Sequence, residues 1–224
     1  MHTLKKLQLF YPLQNILITQ KFGENQVPIY KTWGLLGHNG LDCVRGKGFN
    51  ISGSNVRASH DGEVTYAGAD FLSGYGVVIR TLEQFLDIDG NPQYFKSIYW
   101  HLDPKILVRV GQKVKIGDIV GWADSTGRVT SAHLHFGLKP IVSGESMWTW
   151  DNVFQANGYN GAVDPEPYFF GISAYDHLVN PKKIEVVVEP EKIIEEKLEV
   201  IKKQISILEQ LVALWIRLKN LLRL

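Results

Sequence analysis

The chain has 224 residues, 45% of them hydrophobic and 21% charged, with 24 Lys and Arg against 23 Asp and Glu. That length accommodates one well-buried domain plus an appendage, and the near balance of charge excludes a basic footprint for nucleic acid. A single cysteine, Cys43, excludes an internal disulfide framework, so stability must come from the core.

The N-terminal stretch MHTLKKLQLFYPLQNILITQ pairs two lysines with mixed apolar and polar residues. Pro12, Gln14 and Asn15 interrupt any hydrophobic region and no small-residue cleavage site follows, so no signal peptide is expected. Action outside a cell would then require delivery by other means, or a leader already removed.

Residues 1–180 hold short alternating runs separated by turn signals. GEVTYAGA (62–69) and YGVVIRTL (75–82) flank the turn DFLSG, and LDIDGNPQY (86–94) carries a DG step followed by NP, a hairpin signature. SIYWHLD (97–103), KVKIGDIVGWA (113–123) and HLHFGLKP (133–140) continue the alternation. The 21 glycines and 11% aromatic residues agree with a turn-rich β protein. The expectation is a mainly β fold, an antiparallel sheet or sandwich. An irregular aromatic segment, 146–170, ends in VDPEPY, which reads as a turn entering a short helix.

Composition changes near residue 181. PKKIEVVVEP reads as a linker (181–190), and Pro190 suits a first helical position. Residues 191–224 contain neither Gly nor Pro, with acidic residues early and basic residues late, as a helix dipole prefers. Ile194, Ile201, Leu208, Trp215 and Leu222 recur every seven residues, and Leu198, Ile205 and Val212 fill the positions four later. This predicts an amphipathic heptad helix. A second row, Ile207, Leu211, Leu214, Leu218 and Leu221, widens its apolar face, yet the segment is too charged to span a bilayer. Self-association is the favoured use of that face, ahead of docking on a membrane surface or larger assembly and of packing back onto the domain.

Three short motifs could carry chemistry. SAHLHFG places His133 and His135 at i and i+2, on one side of a strand. GHNGLDCV sets His38 and Asp42 four apart, with Gly37 and Gly40 favouring a turn into the strand LDCV over a helix. YWHLD places His101 in an alternating strand, on the same face as Tyr99 and Asp103. Each motif alone is compatible with strand filler or a turn. Together HNGLD and HLH supply imidazole and carboxylate groups in the number that catalytic zinc takes from protein, with a fourth position left to water. His2, His60 and His177 sit at the terminus, before a turn glycine and near the linker, and carry no expected chemistry. A cupin site fails. Gly127, His133 and His135 match its G-x5-H-x-H opening, but Lys139 and Pro140 stand where the glutamate is required.

The ordered series ITQKFGENQ, GHNGLD, VRASHDGEVTYAG, YGVVIR, YWHLDP, VRVGQKVKIGDIVGWADSTGRVTSAHLHF and VDPEPYF resembles the lysostaphin-type, LytM-like zinc endopeptidases that cut peptide cross-bridges of bacterial peptidoglycan. The likeness covers roughly residues 10–170. It implies a core of the duplicated-hybrid-motif type, so that residues 1–180 form the zinc endopeptidase domain. It also implies one Zn²⁺ per chain held by His38, Asp42 and His135, with His101 and His133 unligated beside it. One of those two would accept a proton from water and the other stabilise the oxyanion; the likeness leaves that division open. Substrates would be peptidoglycan peptides at the bacterial wall, as for a secreted or phage-borne lysin, with homo-oligomerisation through the C-terminal helix. The alternative is a non-catalytic wall-binding or scaffold domain of the same fold, although relatives of that kind generally lose ligands and all five positions are present here. Three segments depart from the family pattern: RGKGFNISGSN, EQFLDIDGNPQYF and residues 144–163. They fall where groove walls would be, so they bear on specificity rather than on reaction type.

Overall fold

The computed structural model describes residues 4–26, 28–46, 51–141 and 155–170, together with residue 202. The chain divides into two units, residues 1–181 and 182–224. The predicted heptad helix lies outside the described residues, as does the linker before it, apart from the single helical position Lys202.

In the first unit ten strands form in chain order. They are β1 (Ile16–Gln20), β2 (Leu41–Arg45), β3 (Asn55–Arg57), β4 (Gly62–Asp70) and β5 (Gly74–Arg80), then β6 (Phe85–Leu86), β7 (Pro92–Leu102), β8 (Lys113–Val114), β9 (Ile119–Trp122) and β10 (Leu134–Ile141). A one-turn helix, α1 (Ile29–Thr32), lies between β1 and β2, and 3-10 turns occupy Gln155–Asn157 and Glu166–Tyr168, the latter from the VDPEPY motif. The main sheet runs β1-β2-β10-β7-β5-β4-β8, with β6 paired to β7, and every pairing is antiparallel. Strands β3 and β9 form a separate two-stranded sheet.

The alternation of each strand decides what it buries. Leu134, Phe136 and Leu138 of β10 are fully buried, as are Leu41 and Cys43 of β2 and Phe95 and Tyr99 of β7. These meet Val56, Ala58 and Val120 from the β3–β9 region, and Leu7, Leu9 and Leu13 from the N-terminal segment, in one continuous core. Each fully buried large aliphatic side chain contributes about 1.5–3 kcal/mol relative to exposure. The residues between them therefore face the other side of the sheet. Asp42 lies beside His135 across β2 and β10, and His135 lies beside Trp100 across β10 and β7. One row over three adjacent strands thus brings together residues far apart in sequence.

His101 departs from the expected alternation. Tyr75 pairs with Leu102 but Gly76 pairs with Trp100, so His101 is the extra residue of a β-bulge. Its φ of 65° lies in the left-handed region, a conformation that costs a non-glycine residue about 1–3 kcal/mol. Tyr99 and Leu102 both point into the core. The bulge releases His101 from the face it would have shared with Tyr99 and places it with the row on the opposite side.

Candidate metal centre

Three side chains converge at the end of that row. His38 Nε2 lies 3.1 Å from Asp42 Oδ1, His135 Nδ1 lies 3.1 Å from the same oxygen, and the two ring nitrogens are 3.0 Å apart. His38 comes from the turn before β2, Asp42 from the middle of β2 and His135 from the start of β10. The four-residue spacing of His38 and Asp42 is closed by a turn running into a strand, as the two glycines implied. Gly40 makes room for the third group: a Cβ there would meet the His135 ring at 2.8 Å and the Phe136 carbonyl oxygen at 2.6 Å.

Hydrogen bonds at the far nitrogens orient three of the rings. His38 Nδ1–H donates to the Lys21 carbonyl at 3.2 Å, His101 Nδ1–H to the Thr126 carbonyl at 2.8 Å, and His133 Nδ1–H to the Ser131 carbonyl at 2.9 Å. In the neutral rings this leaves each Nε2 with a free lone pair. His133 Nε2 lies 3.6 Å from Asp42 Oδ1. The His101 ring stands 4.7 Å from that of His133 and 6.2 Å from that of His135, centroid to centroid.

The electrostatics favour a cation at the shared point. Burial by itself would raise the Asp42 carboxyl, but hydrogen bonds and charge from His135 and His38 outweigh it and hold the group well below the usual carboxylate range. Burial lowers His135 despite its bond to Asp42. Burial, followed by the neighbouring His135 and His133, lowers His101 to about 4, so its ring stays neutral near pH 7.

The donor set fits zinc. Two neutral imidazoles and a carboxylate are ordinary zinc ligands, and ligand atoms at about 2.0–2.1 Å in tetrahedral array stand roughly 3.3 Å from one another. The observed separations of 3.0 and 3.1 Å are close to that spacing. Among the described residues, His38, Asp42 and His135 are the group whose donor atoms cluster in this way. His101 and His133 stand beside them.

Several neighbours had no signal in the sequence. Thr126 anchors His101 through its carbonyl, a contact between distant loops that no spacing announces. Tyr30 of α1 is 8% exposed with its ring 5.7 Å from that of His38. Burial, reinforced by the Asp42 charge, pushes its hydroxyl up to about 12, so it remains a hydrogen-bond donor near the cluster.

An antiparallel sheet thus carries a clustered His–Asp–His donor set with two further histidines beside it. Residues 37–147 match Peptidase family M23, and the chain carries a domain of that family. Over 128 residues it is 32% identical to the DD-carboxypeptidase/endopeptidase Mpg of Neisseria meningitidis, covering 57% of this chain and 25% of that protein. Over 99 residues it is 39% identical to the glycyl-glycine endopeptidase ALE-1 of Staphylococcus capitis, covering 44% of this chain and 24% of that protein. It thus spans about a quarter of the length of these relatives. The fold is also that of the antimicrobial peptidase lysostaphin from Staphylococcus simulans, with a TM-score of 0.51 and 24% identity over 83% of this chain and 60% of that one.

Proposed function

We propose that the protein is a zinc-dependent endopeptidase that hydrolyses peptide bonds in the cross-bridges or stem peptides of bacterial peptidoglycan. The observation that carries this reading is the triangle of His38, Asp42 and His135 donor atoms, 3.0–3.1 Å apart, with two further imidazoles beside it. His38, Asp42 and His135 hold one zinc ion per chain. When bound, zinc supplies a Lewis acid that polarises a carbonyl and acidifies water.

The chain's own groups do the rest. His101, held neutral by burial, and His133, each tied at Nδ1, offer Nε2 as proton acceptor toward the reacting water. A protonated imidazole then stabilises negative charge on the attacked carbonyl oxygen or returns its proton to the leaving amine. The relatives named above are a DD-carboxypeptidase/endopeptidase and a glycyl-glycine endopeptidase. The peptidoglycan DD-endopeptidase ShyB of Vibrio cholerae, 30% identical over 68% of this chain and 32% of that protein, supports the substrate class. Residues 1–180 form the catalytic domain acting at the bacterial wall, as in a secreted or phage-borne lysin. Residues 191–224 form a coiled-coil helix through which copies of the chain associate.

The test is metal analysis of the purified protein, together with turbidity loss in suspensions of several wall chemotypes, with and without a chelator. About one zinc per chain and chelator-sensitive lysis of at least one wall type are expected, and mass spectrometry of the released muropeptides identifies the bond. Bound zinc with no wall type cleaved would favour a wall-binding scaffold instead.

A further inference from the structure

Two turns meet beside His101 and present a cation that the reading above leaves unused. The β4–β5 turn is closed by Asp70, whose Oδ1 accepts from the backbone N–H groups of Leu72 and Ser73 at 2.9 and 2.8 Å. The turn at 126–128 lies directly against it. Gly74 and Gly127 have φ of 73° and 85°, and a Cβ on Gly74 would stand 2.3 Å from the Thr126 carbonyl carbon. Only glycine allows that backbone approach. Arg128 N–H closes the pair by donating to Leu72 O at 2.9 Å.

The outward side chains of this double turn are Phe71 and Arg128. Phe71 is 84% exposed, and the Arg128 guanidinium carbon lies over its ring, 5.4 Å from the centroid. A large apolar ring at a turn tip and an arginine stacked on it form a preset cationic lip, because stacking restrains the guanidinium while leaving its N–H fork free. Among the described residues no carboxylate pairs with Arg128, whereas Lys21, Arg80 and Lys115 are each paired with one.

Position links the lip to the reaction centre. Arg128 lies between Thr126 and Ser131, the residues whose carbonyls hold the rings of His101 and His133. Two and three residues of extended chain span at most about 7 and 11 Å, so the Arg128 backbone lies within that reach of the two carbonyls that hold the histidine rings.

We infer that Arg128, held by Phe71, binds a carboxylate of the substrate peptide and so selects carboxylate-bearing stem peptides over uncharged bridges. The fork geometry of a guanidinium matches a carboxylate at two N–H groups, and such charge-assisted bonds are about twice as strong as neutral ones. The inference rests on the peptidase reading for its substrate class, but its test reads binding rather than turnover.

The full chain, kept under chelator so that nothing is cleaved, is titrated by calorimetry with a synthetic wall stem peptide carrying free carboxylates. The comparison is its twin, in which those carboxylates are carboxamides. Wild type should bind the free-carboxylate peptide about tenfold or more tightly than the twin, with the difference shrinking at high salt. Arg128→Gln should bind the two peptides alike, and Arg128→Lys and Phe71→Ala should fall between. Equal affinities in the wild type, or a preference that survives in Arg128→Gln, would overturn the inference. A wild type that shows the preference yet, with zinc restored, cleaves no wall chemotype would sink the peptidase reading and leave the carboxylate preference standing.

Discussion

The Nδ1–H of His101 donates to the carbonyl of Thr126 at 2.8 Å, while the hydroxyl of the same threonine donates to Leu102 O at 2.6 Å and accepts from Tyr75 N–H at 3.0 Å. One residue therefore fixes the tautomer of His101 and also clamps the bulge that turns it toward the metal centre.

Thr126→Ala removes the hydroxyl clamp and leaves the Tyr75 N–H without its partner. A stability cost of about 1–3 kcal/mol is expected. Turnover should fall roughly tenfold or more, through kcat rather than KM, as His101 loses its orientation. Thr126→Ser should restore most of both. Steady-state kinetics with zinc content measured in parallel checks this, because a merely structural defect would not spare KM and metal loading.

Ligands and proton carriers separate by metal content. His135→Ala and Asp42→Ala should lose zinc and activity together. His101→Ala and His133→Ala should keep most of the zinc and lose on the order of 10²–10⁴ in kcat. Atomic absorption on the four purified variants decides; zinc lost from His133→Ala but kept by His135→Ala would reverse the assignment within the pair.

Gly40→Ala drives a methyl group against the His135 ring and the Phe136 carbonyl, at 2.8 and 2.6 Å. The ring must shift from the shared point. Zinc affinity is expected to drop on the order of 10–100-fold, as for loss of other groups that orient a ligand. Competition with a chromophoric chelator measures it.

His60 is a buried histidine outside the metal centre. Its Nδ1–H donates to Asp61 O at 2.8 Å, so Nε2 accepts from the Ser97 hydroxyl at 2.8 Å, which shares a 3.0 Å hydrogen bond with the Tyr99 hydroxyl. Burial lowers its pKa, ahead of a smaller raising effect from Asp61. The unfolded chain therefore binds the proton first. The contribution of His60 to stability is intact above about pH 6.5 and declines as pH falls below it toward the lower folded-state pKa. His60→Gln, which does not titrate, should show a Tm with a weaker dependence between about pH 7 and pH 5. Parallel slopes in the two proteins would remove His60 as the cause.

The heptad seam of residues 191–224 predicts self-association. Light scattering should give a multimer for the full chain and a monomer once residues 190–224 are removed. An unchanged mass per particle would sink the oligomer reading.

Much of the site was legible because its parts are local. HNGLD and HLHF announce a turn into a strand and two same-side imidazoles, and β2 and β10 form with Asp42 beside His135. Strands β4, β5, β7 and β10 followed from alternation, whereas β1 and β3 had no such reading. The DG and NP steps announced the hairpin where Asp87 Oδ1 accepts from the N–H groups of Asp89 and Asn91 at 2.9 and 2.8 Å. The run KVKIGDIVGWA proved to be two strands, β8 and β9, in different sheets and divided at Gly117, whose φ of 87° breaks the extension.

His101 shows where local reading ends. By itself the sequence determined which residue types were available for a metal and in which strands or adjoining turns they would stand, because alternation and turn chemistry act over a few neighbouring residues. It assigned His101 to the face of Tyr99, since strict alternation allows nothing else. The tertiary structure decided otherwise, through the pairing of Tyr75 with Leu102 and Gly76 with Trp100 and the clamp from Thr126. A bulge and a left-handed φ are stable only where distant backbone bonds offset their strain, and those bonds exist only once the sheet has assembled.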